Sequence, residues 1–310
     1  MANLGDLLEQ MLGDRKKPEH DHVTFLHNYE RKTGEQYASY RYRTRIPAEA
    51  LGARINELTD DTSIVVSVKM RKENVDLFRK LQSRGVKVIV DFCDWYFDDR
   101  YANLFPLSFY DVMAREADAV TVPTVRMAEL MVDAGYRKPT VICDPYDFPE
   151  LPPHCDGNNL LWFGHCINRD GLLRVMPDVE KHPLTIVSRI DYKPLPMPPQ
   201  TIPWTNDSMP GHLAKADIVI IPTTPEYKSA NRAIESIRQG CFVVAEPHPA
   251  IEEIDHIWVG NIKEGVEWAI QNPKEARERT VLAQQLVKVK FSPQSQADVW
   301  RTLLKKLKSV

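Results

Sequence analysis

The stretch Asp217-Ile-Val-Ile-Ile-Pro222-Thr-Thr-Pro-Glu-Tyr-Lys-Ser-Ala-Asn231-Arg-Ala-Ile-Glu-Ser-Ile-Arg-Gln239-Gly-Cys241-Phe-Val-Val-Ala245 decides the fold. Its opening apolar run stops at Pro222 and reads as a strand buried on both faces. A polar turn follows. Residues Asn231 to Gln239 then carry helical periodicity and close on Gly240. A second apolar run, Cys241 to Ala245, comes at once. Strand, helix and strand in so short a stretch make a parallel βαβ unit.

The same alternation extends in both directions. Upstream, strands are expected at Val23–His27, Ser63–Val68, Val86–Asp91, Ala119–Val122 and Thr140–Cys143. Helices are expected at Ile46–Leu58, Arg71–Gly85, Leu107–Ala117 and Thr124–Gly135, and a short amphipathic one at Asn3–Leu12. Pro145 to Asn159, rich in Pro, His, Asp, Gly and Asn, interrupts the pattern and is the best linker candidate. Beyond it come strands at Asn159–Phe163, Leu184–Val187, Asp217–Ile221 and Cys241–Ala245. Helices are expected at Gly171–Glu180, Met209–Lys215, Asn231–Gln239 and Ile262–Gln271, with a proline-rich loop over Tyr192–Pro203. Ser292-Pro293 opens a last helix, Ser as cap and Pro in the first turn, with Trp300, Leu303, Leu304 and Leu307 on one face. The pattern predicts an α/β chain of two doubly wound, Rossmann-like domains.

Composition narrows the chemistry. The 310 residues suit two domains, and 43% apolar content suffices for real cores. Glycine is scarce, 13 residues, and no two stand two apart, which excludes a G-x-G-x-x-G fingerprint; a G-x-x-x-x-G-K-[ST] loop is also absent. A bound phosphate must rest on helix N-termini and basic side chains. The net charge of −3 gives no global field for nucleic acid or anionic lipid. Five cysteines without a C-x-x-C pair fit a reducing, cytoplasmic setting, and no run is long and apolar enough for an integral membrane span. No D-x-D pair occurs, and no His spacing suggests a metal site.

In doubly wound sheets ligands bind outside the carboxyl ends of the strands. The turn after Pro222 leads into a helix start near Ser229 or Asn231, whose amides suit a diphosphate. Lys228 and Arg232 add full positive charges there, and Glu235, a turn further on, can accept hydrogen bonds from sugar hydroxyls.

This segment resembles the donor-binding signature of GT-B glycosyltransferases, in particular the retaining glycosyltransferase family 4-like (group 1) enzymes. Glu235, Gly240 and Val243-Val244 match that pattern in register. The family's first acid is replaced by Tyr227, with Glu226 one position earlier, and the usual glycine by Lys228. The resemblance implies that Glu235 binds the donor ribose and that Ser229 to Arg232, Asn231 included, hold the diphosphate and sugar. Leu160-Leu-Trp-Phe-Gly164-His165 resembles the strand opening the family's second domain, where Gly164 lets the backbone approach donor and acceptor and His165 faces the cleft. Arg169 and Arg189 stand where the family carries basic residues for the diphosphate. Ala214-Lys-Ala-Asp217-Ile-Val-Ile-Ile-Pro222 resembles the family's run beside the nucleotide base. The likeness covers most of residues 40–308 and is clearest over 160–245.

In the first half, Ser39-Tyr-Arg41-Tyr-Arg43 precedes a helix, and Lys69 and Arg71 exit a strand. Arg41, Arg43, Lys69 and His165 are the candidates for an acceptor or phosphate. Asp91 and Asp94, in a run continuing to Asp98-Asp99, are the candidates for a general base on an acceptor hydroxyl. The domain expectation is 1–150 on the acceptor side and 151–291 on the donor side. A C-terminal crossover helix, 292–310, is expected to pack back on the first domain, and the resemblance sets the two domains facing a cleft.

The functional expectation is transfer of a sugar from a nucleotide-diphosphate sugar to a hydroxyl acceptor, with retention and without metal or any cofactor beyond the donor substrate. The acceptor classes are a glycan, a lipid-linked precursor or a hydroxylated DNA base. A nucleotide-sugar epimerase and a non-catalytic nucleotide-sugar-binding module are the rival readings. Lys288, Lys290, Arg301, Lys305, Lys306 and Lys308 leave open a peripheral membrane or nucleic-acid contact.

Overall fold

The computed structural model describes residues 22–27, 37–69, 74–97, 107–189 and 196–309. The expected helix at Asn3–Leu12, together with Arg71, Asp98 and Asp99, lies outside them. The chain divides into two compact units, 1–143 with 296–310, and 144–295.

Among the described residues, unit 1 holds six parallel strands: β1 (His22–His27), β2 (Arg54–Ile55), β3 (Thr62–Val68), β4 (Lys87–Asp91), β5 (Ala119–Val122) and β6 (Thr140–Val141). Their order is β2-β1-β3-β4-β5-β6, so the winding reverses between β1 and β3. α1 starts at Ala38–Tyr40, passes through a π-helical turn at Arg41–Arg45 and ends as Ile46–Leu51. Pro47 has no amide proton for the carbonyl of Arg43. The ladder widens to i→i+5 there, the Ile46 amide bonding the Arg41 carbonyl. The expected helix at Ile46–Leu58 therefore needs correcting at both ends. Ser39 to Arg43 lie inside the helix, not before it, and Gly52 ends it at φ +65°. α2 (Asn74–Gln82), α3 (Leu107–Glu116) and α4 (Val125–Asp133, capped by the Thr124 hydroxyl) complete the crossovers.

Unit 2 repeats the plan with β7 (Leu160–Gly164), β8 (Leu184–Ser188), β9 (Ile202–Pro203), β10 (Ile218–Ile221), β11 (Phe242–Ala245) and β12 (Trp258–Val259), all parallel. The order β12-β11-β10-β7-β8-β9 is the six-strand Rossmann order, reversing between β7 and β10. Its helices are α5 (Arg169–Val175), α6 (Met209–Leu213), α7 (Asn231–Arg238), α8 (Ile262–Gln271) and α9 (Pro273–Lys290). α5 begins two residues before the expected Gly171 and gives way to a 3-10 turn at Met176–Val179. α9 is absent from the sequence expectation. Its buried residues are Ala276, Thr280, Ala283, Gln284 and Val287, a helical spacing of small and polar side chains with almost no apolar signal.

Residues 145–159 are not a linker; they are sewn into unit 2. The Tyr146 amide bonds Phe291, the Leu151 amide bonds Arg238 and the His154 amide bonds Gly240. Asp217 accepts from the amides of Gly157 and Asn159 at 3.0 and 2.9 Å. Gly240 turns at φ +84°, and a Cβ there would stand 2.3 Å from the Pro152 carbonyl oxygen. Only glycine fits beneath this segment.

α10 (Pro293–Lys308) opens with the Ser292 hydroxyl accepting from the Ser295 amide at 3.0 Å. Its residues Trp300, Leu303, Leu304 and Leu307 join Phe25, Val66, Ile89 and Ile142 in the core of unit 1. Trp300 meets Phe25 edge-on at 5.4 Å. Among the described residues, no helix is long and apolar enough to cross a membrane.

Candidate functional site

The carboxyl ends of β7 and β10 flank the winding reversal of unit 2, where a doubly wound sheet opens its crevice. The chain leaves β7 at Gly164, and the exposed His165 caps the following 3-10 turn, its Nδ1 accepting from the Ile167 amide at 3.2 Å. Leaving β10 it passes Pro222 and Thr223, runs to Ser229 and enters α7 at Asn231. A pocket of about 290 Å³, open mouth included, lies between the exits of β10 and β11 and the start of α7. Its lining includes Ile221, Thr224, Ala230, Arg232, Glu246 and His248.

Arg232, in the first turn of α7, is its distinctive group. Nη1 donates to the Phe163 carbonyl at 3.3 Å, and a Cβ on Gly164 would stand 3.4 Å from the same nitrogen. Among the described residues no carboxylate pairs with it. Burial alone pulls the guanidinium down to about 10, so it is a desolvated cation still charged at neutral pH. The first-turn amides of α7 add partial positive charge in the same place.

The other sequence candidates of unit 2 fall around this point in different states. Ser229 Oγ donates to Asp144 at 2.5 Å. Lys228 is half-buried with its ammonium 5.4 Å from the Tyr227 ring centroid. Asn231 is the first residue of α7. Glu235 is buried, and its two oxygens accept from the amides of Asp147 and Phe148 at 2.7 and 3.1 Å. Its carboxylate thus anchors the 144–150 segment to α7. Arg169 spends its guanidinium on the Pro196 carbonyl at 2.9 Å and on Asp170 at 3.3 Å. Arg189 follows β8 directly.

Sequence reasoning gave Glu246, on the same lining, no role. Glu246 leaves β11 and accepts from Arg174 at 2.7 and 2.5 Å, from the Thr223 amide at 2.6 Å, and from the Thr223 hydroxyl. Despite a burial penalty, these donors hold its carboxyl at about 2. His248 turns Nε2 to the Pro225 carbonyl at 2.9 Å and accepts the Ala250 amide on Nδ1 at 3.2 Å. It is the neutral tautomer with the proton on Nε2, and burial lowers its pKa. Only the position of Glu246 at a strand exit could have flagged it, because its partners lie 72 and 23 residues away.

The candidates in unit 1 pair among themselves. Arg43 and Asp91 form a buried ion pair, with Nε 3.1 Å and Nη2 2.5 Å from the carboxylate and side chains 2% and 0% exposed. Thr121 Oγ1 donates to Asp91 at 2.6 Å, and Arg43 Nη1 donates to the Ile142 carbonyl. Asp91 is still a ladder residue of β4, in register with Val68 and Thr121. In this structure neither residue presents a charge to a substrate, which corrects their expected roles as base and acceptor ligand. Arg41 is likewise buried, over the Tyr42 ring.

Lys69, held at φ +53° just beyond β3, places Nζ 2.5 Å from Asp94 and 2.7 Å from the Tyr96 hydroxyl. Burial opposes its charge, but Asp94 and its neighbours raise the ammonium well above its ordinary pKa. His27, ending β1, is held neutral at about 3 by burial and then by Lys69. His27 and Lys69 stand at the carboxyl ends of β1 and β3, where the winding of unit 1 reverses. Among the described residues, no group of three or more His, Cys, Asp or Glu is arranged to hold a metal ion.

No protein-family model matches the chain, and no curated protein sequence does. Solved structures do. Anabaena Alr3699/HepE in complex with UDP-glucose superposes with a TM-score of 0.68 at 13% identity, over 94% of this chain and 100% of that one. A glycosyltransferase from Rickettsia africae gives 0.65 at 11% identity, over 94% and 99%. WaaG, a glycosyltransferase involved in lipopolysaccharide biosynthesis, gives 0.59 at 12% identity, over 89% and 99%. The chain has the two-sheet α/β fold of these structures, the GT-B fold.

Proposed function

We propose that this protein is a cytoplasmic glycosyltransferase that moves a sugar from a nucleotide-diphosphate sugar to a hydroxyl acceptor of the glycan class, with retention and without metal. The observation that carries the reading is Arg232: a desolvated guanidinium with no carboxylate partner among the described residues, in the first turn of a helix, at the winding reversal of a Rossmann-ordered sheet. Such a group meets a diphosphate well, because the charge-assisted bond forms where water is already excluded.

In the reaction the bond from the anomeric carbon to the diphosphate oxygen breaks, and the diphosphate leaves with the electron pair. The acceptor oxygen bonds that carbon on the same face. Its proton passes to the departing diphosphate or to water. Arg232 and the α7 amides stabilise the growing negative charge, the task a metal performs elsewhere. Lys228, Asn231, Ser229, Gly164, Arg169 and Arg189 complete the donor surface, and Glu235 is the residue for the donor ribose. Asp94, held by Lys69, is the carboxylate kept for the acceptor hydroxyl, with His165 and Arg41 at the acceptor. UDP-glucose bound to a structure of the same fold supports the donor class.

The test is binding of UDP-, GDP-, ADP- and dTDP-sugars, followed by transfer to glycan, lipid-linked and hydroxymethylated-DNA acceptors with and without EDTA. Arg232→Met is expected to weaken donor binding about 10- to 100-fold, the size of a lost charge-assisted bond. Unchanged donor affinity in that variant removes the site assignment, and activity abolished by EDTA removes metal independence.

A further inference from the structure

The unit 2 pocket contains two ionised side chains of opposite sign that are not bonded to each other. Arg232 bonds the Phe163 carbonyl, whereas Glu246 takes its charge partner from Arg174, a residue outside the lining. The two oxygens of Glu246 are unequally used. Oε2 accepts three donors: Arg174 Nη2, the Thr223 amide and the Thr223 hydroxyl. Oε1 accepts one, Arg174 Nη1 at 2.7 Å. A carboxylate oxygen has two lone-pair sites. Oε2 is therefore saturated, while Oε1 keeps an acceptor site among the described residues. The Glu246 side chain retains 14% of its surface.

This oxygen cannot move to find a donor. Three bonds on its twin and one on itself lock the rotamer, and the 55%-exposed Arg174 braces it from outside. A fixed anionic acceptor selects a neutral hydroxyl and repels a phosphate, whereas Arg232 does the reverse. One small ligand presents both groups within a single ring and its ester, a sugar joined to phosphate.

We propose that Glu246 Oε1 accepts a hydrogen bond from a hydroxyl of the transferred sugar while Arg232 holds the adjoining phosphate, so that Glu246 sets the preference for a sugar nucleotide over the bare nucleotide. This rests on the donor reading above. Thr223 and Arg174 are positioning residues, acting through Glu246.

The experiment is calorimetric titration of the full chain with UDP, GDP, ADP and dTDP and with their glucose, galactose, mannose and N-acetylglucosamine esters. The wild-type protein is expected to bind one sugar ester more tightly than its own nucleotide. Glu246→Gln is expected to erase that preference by about tenfold and to leave the nucleotide Kd within about twofold. Glu246→Asp, which keeps the charge but withdraws the oxygen, is expected to do the same and serves if the glutamine variant does not fold. Equal weakening of nucleotide and sugar ester, or a preference retained in the variants, overturns the assignment. So does a wild-type protein that prefers no sugar ester. Failure of the donor reading looks different: the wild-type protein then binds none of the nucleotides.

Discussion

Two arginines sit on helices beside the carboxyl ends of parallel strands, one in each unit, and their fates differ. Arg43 meets Asp91 through two nitrogens, with Thr121 and the Ile142 carbonyl completing the shell, and nothing of the pair reaches solvent. Arg232 is also desolvated, yet among the described residues it donates to one carbonyl, at 3.3 Å. The first is a closed account of charge, useful for holding β4 to α1. The second has no carboxylate partner among the described residues. The same residue type at the same kind of place is thus closed off or left open to a ligand according to whether a carboxylate is within reach.

The contrast breaks most visibly at Asp91. Asp91→Ala strands a buried guanidinium and is expected to cost about 3–5 kcal/mol, read by urea denaturation. The double variant Arg43→Met with Asp91→Leu is expected to recover most of that loss; an additive loss would show that the pair is valued for more than mutual neutralisation. A middle-sized effect belongs to His27. Its folded pKa is depressed from 6.5 to about 3, so between those values the unfolded chain binds the extra proton. Stability contributed by the neutral imidazole is present above pH 6.5 and drains away as pH falls towards 3, at about 1.4 kcal/mol per pH unit. His27→Phe should flatten that part of the stability–pH profile, and an unchanged slope would place the titration elsewhere. The smallest stability effect is expected at Arg232. Arg232→Met should shift unfolding by less than about 1 kcal/mol, even as it removes donor affinity. A loss as large as that of Asp91→Ala would mean that Arg232 is structural after all.

The alternation of buried runs with helices was legible because parallel strands covered on both faces must be continuously apolar, as Ile218–Ile221 and Phe242–Ala245 are. α9 was not legible, because its inner face is Ala276, Thr280, Ala283, Gln284 and Val287 while Val281, Leu282 and Val289 lie exposed, so apolar residues do not mark the buried side. The place of Arg232, after a strand and turn, was legible in the same way. The difference between Asp91 and Asp94 was not, since it depends on β4 remaining paired to Val68 and Thr121 as far as Asp91 and ending there. Nor was the work of Glu235, whose partners are two backbone amides 88 and 87 residues away. Backbone donors carry no side-chain signature, so the loop-anchoring bonds of a carboxylate leave no trace in the sequence.

The return of α10 to unit 1 also sets a timetable. Residues 144–295 emerge from the ribosome as one continuous unit, able to collapse on themselves while translation proceeds. Unit 1 begins earlier but finishes later: Phe25, Val66 and Ile89 remain without the indole of Trp300 until the intervening unit has been made. The first half of the chain is thus exposed to chaperones and proteases for the whole synthesis of the second, and a truncation anywhere before Trp300 leaves it unsealed.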